Sequence, residues 1–149
     1  DHRLSEAGFS WYETSNWSHG PDRESSHNWL YWNSSDWWGI GPGAHSHMGG
    51  VRWWNVKHPA AYAERLSQNR SPAFHREVLT PADVALERIL LGLRTREGIA
   101  VTDVAPERSG VIEEALGQGL LNAESLASGR ITLTQSGRLL ADHLAGRLS

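Results

Sequence analysis

All eight tryptophans of this 149-residue chain lie between Trp11 and Trp54, and from Thr80 onward there is no Trp, Tyr or Phe. Large rings confined to one stretch and a leucine-rich, helix-periodic remainder imply two kinds of folded material joined by a linker. The densest part, "ESSHNWLYWNSSDWWGIGPGAHSH" over residues 24–47, holds four tryptophans, one tyrosine and three histidines, and ends in a glycine run. The change of material is expected within Gln68 to Leu79, where Ser, Asn, Arg and Pro cluster. At this length the chain makes one ordinary domain or two small ones, able to bury roughly 70% of its unfolded surface.

The second half is the more regular. Thr80-Pro81-Ala82-Asp83 supplies a capping hydroxyl, a proline at the first helical position and an acid in the first turn, the marks of a helix start. Leu86, Ile89, Leu90 and Leu93 then recur at helical spacing and predict one inward stripe up to Gly98. Thr102 is expected to cap a short second helix. Val111, Ile112, Ala115 and Leu116 mark a third, ending near Gly119. Leu126 and the alternating Ile131 and Leu133 flank Ser128-Gly129, which predicts a tight hairpin. Thr134 is expected to cap a last helix bearing Leu140, Leu144 and Leu148. Helix, helix, helix, hairpin, helix is the order of a winged helix.

Charge argues against the nucleic-acid role of such folds. From Thr80 to Ser149 there are seven Arg and no Lys against nine acids, a net of 7 − 9 = −2, and the whole chain carries −3. Phosphate neutralisation supplies most non-specific DNA affinity, so a third helix carrying Glu113-Glu114 is a poor groove reader. No apolar run approaches the roughly 18 residues of a membrane span, and no charged start followed by an apolar stretch suggests a signal peptide. The expected setting is soluble and cytoplasmic. With no cysteine, disulfides and iron–sulfur ligation by these residues are excluded. The first residues read as the end of a helix, with Gly8 as its stop, and give the impression of a longer parent.

The first half is irregular. Phe9 to Ser15 suits a strand around Trp11 and Tyr12, and His27 to Trp32 suits a short helix. Such a helix puts His27, Leu30 and Tyr31 on one face and Asn28, Tyr31 and Trp32 on an overlapping one. Trp37 to Ser46 reads as a strand end entering a glycine loop, although GIGPG lacks the GxGxxG spacing of a dinucleotide site. No HExxH or other i, i+4 ligand pair supports a metal-dependent hydrolase. Repeated short strands, expected of a Trp-rich carbohydrate-binding module, are absent from the pattern.

Four stretches, in order, carry a family resemblance. "AGFSWYETSNWS" resembles AGF-x-x-YEISNWA, "ESSHNWLYW" resembles ES-x-HN-x-x-YW, "DWWGIGPGAHSH" resembles D-Y-x-GIG-x-GAHS, and "ALERILLGLRTREGI" resembles the opening helix of a C-terminal domain. Together they are similar to the radical SAM coproporphyrinogen III oxidase-like proteins, with HN-x-x-YW pointing to the heme chaperone branch. Thr14 stands where the pattern has Ile, and the loop Ser18 to Arg23 departs from A-x-PG-x.

The resemblance implies an α/β plus α fold: the last segment of an incomplete radical SAM β/α barrel over residues 1–56, a connecting helix and linker over 57–79, and a small helical, winged-helix-like C-terminal domain over 80–149. It implies a 4Fe-4S cluster held by an early CxxxCxxC loop, S-adenosyl-L-methionine (SAM) on that cluster, and heme or a porphyrin as ligand. This chain cannot hold the cluster, so no catalytic residue is assigned and radical chemistry by this chain alone is not expected. His27, Asn28, Tyr31 and Trp32 are the implied heme or substrate contacts, and Gly39, Gly41, Gly43, Ala44 and His45 the implied SAM-pocket residues; no metal ligand is implied. The implied activity is heme binding and delivery, the alternatives being oxidative decarboxylation of coproporphyrinogen III or a Trp-rich ligand-binding module. Implied partners are the N-terminal barrel region and an apo-hemoprotein or membrane-associated recipient. For Trp37, Trp38, Trp53 and Trp54, packing between barrel and C-terminal domain competes with ligand contact. Arg52 is expected in an intramolecular salt bridge or, with Asn55, on a ligand carboxylate.

Overall fold

The computed structural model describes all 149 residues, and it is mixed α/β. In chain order, α1 (His2–Glu6) leads to the hairpin β1 (Ser10–Glu13) and β2 (Asn16–Ser18), then α2 (Ser26–Trp32). Next come β3 (His45–Met48), β4 (Val51–Asn55), α3 (Pro59–Ser67) and β5 (Ala73–Val78). The leucine-rich part holds α4 (Pro81–Gly92), β6 (Ile99–Ala100), α5 (Ser109–Gly117), α6 (Ala123–Ala127), β7 (Arg130–Ile131), α7 (Gln135–Arg138) and α8 (Ala141–Leu148). No helix is long and apolar enough to cross a membrane.

The contacts form two compact units, residues 1–34 with 85–149, and residues 35–84. This grouping runs across the expected segments 1–56, 57–79 and 80–149, and the reason is backbone pairing. The Thr14 amide donates to the Arg94 carbonyl at 2.9 Å and the Arg96 amide to the Tyr12 carbonyl at 2.9 Å, while Glu13 and Thr95 form an antiparallel bridge. Four tryptophans therefore fall in the same unit as the leucine-rich core and four do not.

In the first unit the core is Ile89, Leu93, Ile99, Ile112, Ala115, Leu121, Ile131, Leu144, Ala145 and Leu148, all buried. The expected stripe of α4 holds from Ile89 on, but Leu86 is 41% exposed. The helix ends at Gly92 rather than Gly98, because residues 94–96 turn away to pair with β1. Thr102 lies in a single 3-10 turn, Val101–Asp103, in place of a second helix. The expected hairpin about Ser128-Gly129 is not formed: Leu126 is in α6, Ser128 ends that helix, and β7 pairs with the distant β6. Asn122, whose side chain accepts from the Ser125 amide at 3.0 Å, starts α6 and explains the difference. Thr134 does cap the next helix, accepting from the Gly137 amide at 3.1 Å. The last helix is broken in two at Leu139 and Leu140, leaving Leu140 44% exposed. Arg147 grips Glu114 with two nitrogens at 2.5 and 3.1 Å, tying α8 to α5 and holding the Glu114 carboxyl below its ordinary range.

The second unit is built on the antiparallel sheet β3-β4-β5. Its first turn is Gly49-Gly50, with φ of 57° and 77°, the left-handed pair that a two-residue hairpin needs and that glycine adopts without strain. Met48 pairs with Val51 across it. Residues 73–78, expected as linker, form β5 on the far edge of β4. The interleaved Phe74, Arg76 and Val78 are exposed, so no alternation of apolar and polar marked this strand.

At the start of α4 the Thr80 hydroxyl accepts from the Asp83 amide at 3.2 Å and donates to the Asp83 carboxylate at 2.7 Å, and the Thr80 amide donates to that carboxylate at 2.8 Å. These bonds, the Thr80 hydroxyl first, lower the Asp83 pKa. Thr80→Ala is expected to destabilise the protein by about 1 kcal/mol, read by thermal melting. Because the folded-state pKa is the depressed one, the contribution is present above the unfolded value of about 3.9 and fades as pH falls through the lower folded value. The melting gap between the wild type and Thr80→Ala should narrow in strong acid and stay level at neutral pH.

Candidate functional site

The HN-x-x-YW residues sit on α2, in the first unit. Ser25 caps this helix, accepting from the Asn28 amide at 3.2 Å, and the Ser25 amide donates to the Tyr12 hydroxyl at 3.3 Å. His27 and Tyr31, one turn apart, are joined: the Tyr31 hydroxyl is 3.0 Å from His27 Nε2, and the rings meet edge to face at 4.9 Å. Both residues are exposed. Asn28 points elsewhere, its Nδ2 donating to Glu13 Oε1 at 3.2 Å, and Asn16 donates to the same oxygen. Glu13 is 2% exposed, so its carboxylate is a buried acceptor satisfied by amide donors.

Asn28, Tyr31 and Trp32 line an open depression of 370 Å³ together with Glu13, Thr14 and Asn16. His27 is not in that lining. The structure thus brings three of the four expected contacts to one concavity and sets the imidazole on the adjoining face, linked through Tyr31. Two acids absent from the expected set organise the helix. Glu13 fixes Asn28, and Glu24 accepts from Trp29 Nε1 at 2.9 Å and pairs with Arg96. Both lie inside the quoted motifs, as the Glu of YETSN and of ESSHN. Only the fold, however, shows that they face inward.

The glycine run lies in the second unit, held by polar side chains. Gly39 N donates to Ser46 Oγ at 3.0 Å, Gly41 N to the Tyr62 hydroxyl at 3.2 Å, and Asn55 Nδ2 to the Gly41 carbonyl at 2.9 Å. Gly43 N donates to the Val56 carbonyl and Asn55 N to the Ala44 carbonyl, both at 2.9 Å. Ser46 and Asn55 are buried, so β3, β4 and α3 each contribute one clamp to the loop. Ser46 and Tyr62 were not singled out by the sequence; Asn55, expected beside Arg52 on a ligand carboxylate, instead holds the loop.

A cleft of 590 Å³ opens beside the loop, lined by Trp38, Gly39, Ile40, Trp53, Tyr62 and Phe74 among others. Trp38 is 64% exposed and meets Trp53 edge to face at 5.0 Å, so its packing partner is a neighbouring ring. Of the five expected pocket residues only Gly39 lines this cleft. His45 follows the strand alternation to the opposite side of β3 from Ser46, where its ring stacks on Trp54 at 5.5 Å while His75 meets Trp54 edge-on at 5.2 Å. Arg52 pairs with Glu77 at 3.0 Å, an intramolecular bridge across β4 and β5. Flat apolar walls beside a few fixed polar groups suit a planar, largely apolar ligand. No three His, Asp or Glu side chains are grouped to hold a metal ion.

Gly39 owes its identity to packing: a Cβ there would lie 1.8 Å from the His45 carbonyl oxygen. Gly39→Ala is expected to cost about 1–3 kcal/mol or more and to lower the melting temperature. Pro42→Ala, on an exposed loop position, should change it little. Equal melting of Gly39→Ala and wild type would show that the loop relaxes freely.

Residues 79–140 match the family model of the HemN C-terminal domain. The heme chaperone HemW of Mycobacterium tuberculosis H37Rv is 44% identical over 142 residues, 95% of this chain and 35% of that protein. HemW of Bacillus subtilis is 30% identical over 149 residues, 93% of this chain and 38% of that protein. Among solved structures, the Escherichia coli coproporphyrinogen III oxidase HemN, a radical SAM enzyme, superposes with a TM-score of 0.59 over 98% of this chain and 33% of its own, at 16% identity. At that identity the likeness is one of fold. The chain spans little more than a third of the length of these curated relatives. It belongs to the heme chaperone HemW family, and its residues 79–140 carry the HemN C-terminal domain.

Proposed function

We propose that this chain is the heme-handling part of a heme chaperone, with α2 as the element that meets the tetrapyrrole. One observation carries this reading: His27, Asn28, Tyr31 and Trp32 stand together on a short surface helix, with the imidazole exposed and hydrogen-bonded to Tyr31. An exposed imidazole beside the Tyr31 ring has the chemistry to meet a flat, apolar ligand carrying a metal ion. Donation from the His27 Nε2–H to the Tyr31 hydroxyl would leave the Nδ1 lone pair for an incoming iron, with Tyr31 setting the ring plane. Relatives bearing the name heme chaperone favour heme delivery over oxidative decarboxylation of coproporphyrinogen III.

The finer architecture belongs to the same proposal. Residues 1–56 supply the last segment of an incomplete β/α barrel, 57–79 connect, and 80–149 form a winged-helix-like domain. In the barrel the loop Gly39 to His45 contributes to the SAM pocket, its course fixed by the Ser46, Tyr62 and Asn55 clamps. The residues present do not suit the 4Fe-4S cluster, since the chain has no cysteine, and no step is assigned to it here. Transfer to an apo-hemoprotein or a membrane-associated recipient, in the cytoplasm, completes the proposal.

Titration of hemin into the protein, followed by the Soret band, tests the central claim. His27→Ala is expected to weaken binding roughly 10-fold or more and to move the band toward that of free hemin, and Tyr31→Phe to weaken it less, as loss of a supporting hydrogen bond does. A titration of His27→Ala that overlays the wild type would assign His27 a purely structural role.

A further inference from the structure

Helix α2 is seven residues long and has no buried residue. A helix so short is not stable by itself in water, and without a core face it is held in place by polar bonds. One of these ties the motif's own glutamate to a distant segment. Glu24, just before the Ser25 cap, has a side chain only 5% exposed. Its carboxylate accepts from Trp29 Nε1 at 2.9 Å on one side and from both terminal nitrogens of Arg96 on the other, the longer bond being 3.3 Å. Arg96 also leads into the same turn through its backbone, since its amide donates to the Tyr12 carbonyl at 2.9 Å and the Tyr12 hydroxyl accepts from the Ser25 amide at 3.3 Å. Arg94, two residues earlier, is committed to Asp142 at 2.5 Å and cannot replace it.

We infer that Arg96 is a positioning residue for α2: through Glu24, the segment following α4 sets the orientation in which His27 and Tyr31 are presented. The sense of the effect follows from burial. A buried carboxylate deprived of its cation is strongly unfavourable, so removing Arg96 leaves Glu24 to seek solvent, dragging Trp29 and the first turn of α2 with it. Lysine keeps the charge and loses the fork, so it should restore the arrangement only in part. The identity of the cargo rests on the preceding reading; the brace does not.

The test is hydrogen exchange of this chain, followed by mass spectrometry of its peptides. In Arg96→Met, amides of residues 26–32 are expected to exchange roughly 10- to 100-fold faster, the range for loss of a charge-assisted bond, while those of 109–117 and 141–148 keep their protection. Arg96→Lys should fall between, and it carries the test if Arg96→Met fails to fold. Glu24→Gln should give a similar acceleration, and the double variant no more than either single one, because both remove one interaction. Unchanged exchange in 26–32, or an equal acceleration throughout the chain, would overturn the inference. Where wild type binds hemin, Arg96→Met should bind it roughly 10-fold more weakly; full affinity alongside faster exchange would overturn the presentation role. Absence of hemin binding by the wild type would count against the cargo alone, with exchange still deciding Arg96.

Discussion

The backbone pairing of residues 12–14 with residues 94–96 is the constraint on which the first unit depends. Two amide bonds of 2.9 Å and the Glu13–Thr95 bridge join segments some eighty positions apart. That pairing ends α4 at Gly92 rather than Gly98, buries the Tyr12 and Glu13 side chains, and supplies the floor against which α2 is set. Closing so long a loop has an entropic cost that grows only slowly with length. The buried polar bonds gathered about the pairing, Asn28 and Asn16 to Glu13 and Arg96 to Glu24, offset it.

Polar bonds also organise the second unit, in a different manner. Its glycine loop has no regular structure, and every clamp on it is a hydrogen bond from a neighbouring element: Ser46 from β3, Asn55 from β4, Tyr62 from α3. Buried backbone groups without such partners would be costly, so the three side chains make the loop's course a defined one. The apolar walls of the adjacent cleft stay exposed because the sheet directs Trp53 to that face while Trp54 turns to the other, between His45 and His75. The ring-rich stretch that dominates the sequence is thereby divided by strand alternation into two chemically different surfaces.

Local signals located much of the secondary structure. Thr80-Pro81-Ala82-Asp83 opened a helix as its hydroxyl, proline and acid required, and Thr134 capped another. The i, i+4 spacing of His27 and Tyr31 placed them in contact. The hairpin at Met48-Gly49-Gly50-Val51 went unread, although a glycine pair suits its two-residue turn. The misplaced hairpin at Ser128-Gly129 has its own cause: a turn dipeptide also ends helices, and Asn122 decided the matter from six residues upstream. β5 was illegible because its alternate residues do not separate into apolar and polar sets, so its pairing with β4 was available only to an edge already formed.

The sequence by itself determined the absence of thiolate ligation, the net negative charge, the family motifs and the caps at Thr80 and Thr134, all properties of residue type or of neighbours within a turn. The tertiary structure decided which residues work together. Glu13 and Glu24 are ordinary surface acids in a linear reading and become buried acceptors only when residues 94–96 close over them. His45 stands next to the clamped loop in the chain, yet turns from it because successive strand side chains point to opposite faces. Long-range pairing and sheet alternation act between residues that no local window contains, and for that reason they were left to the fold.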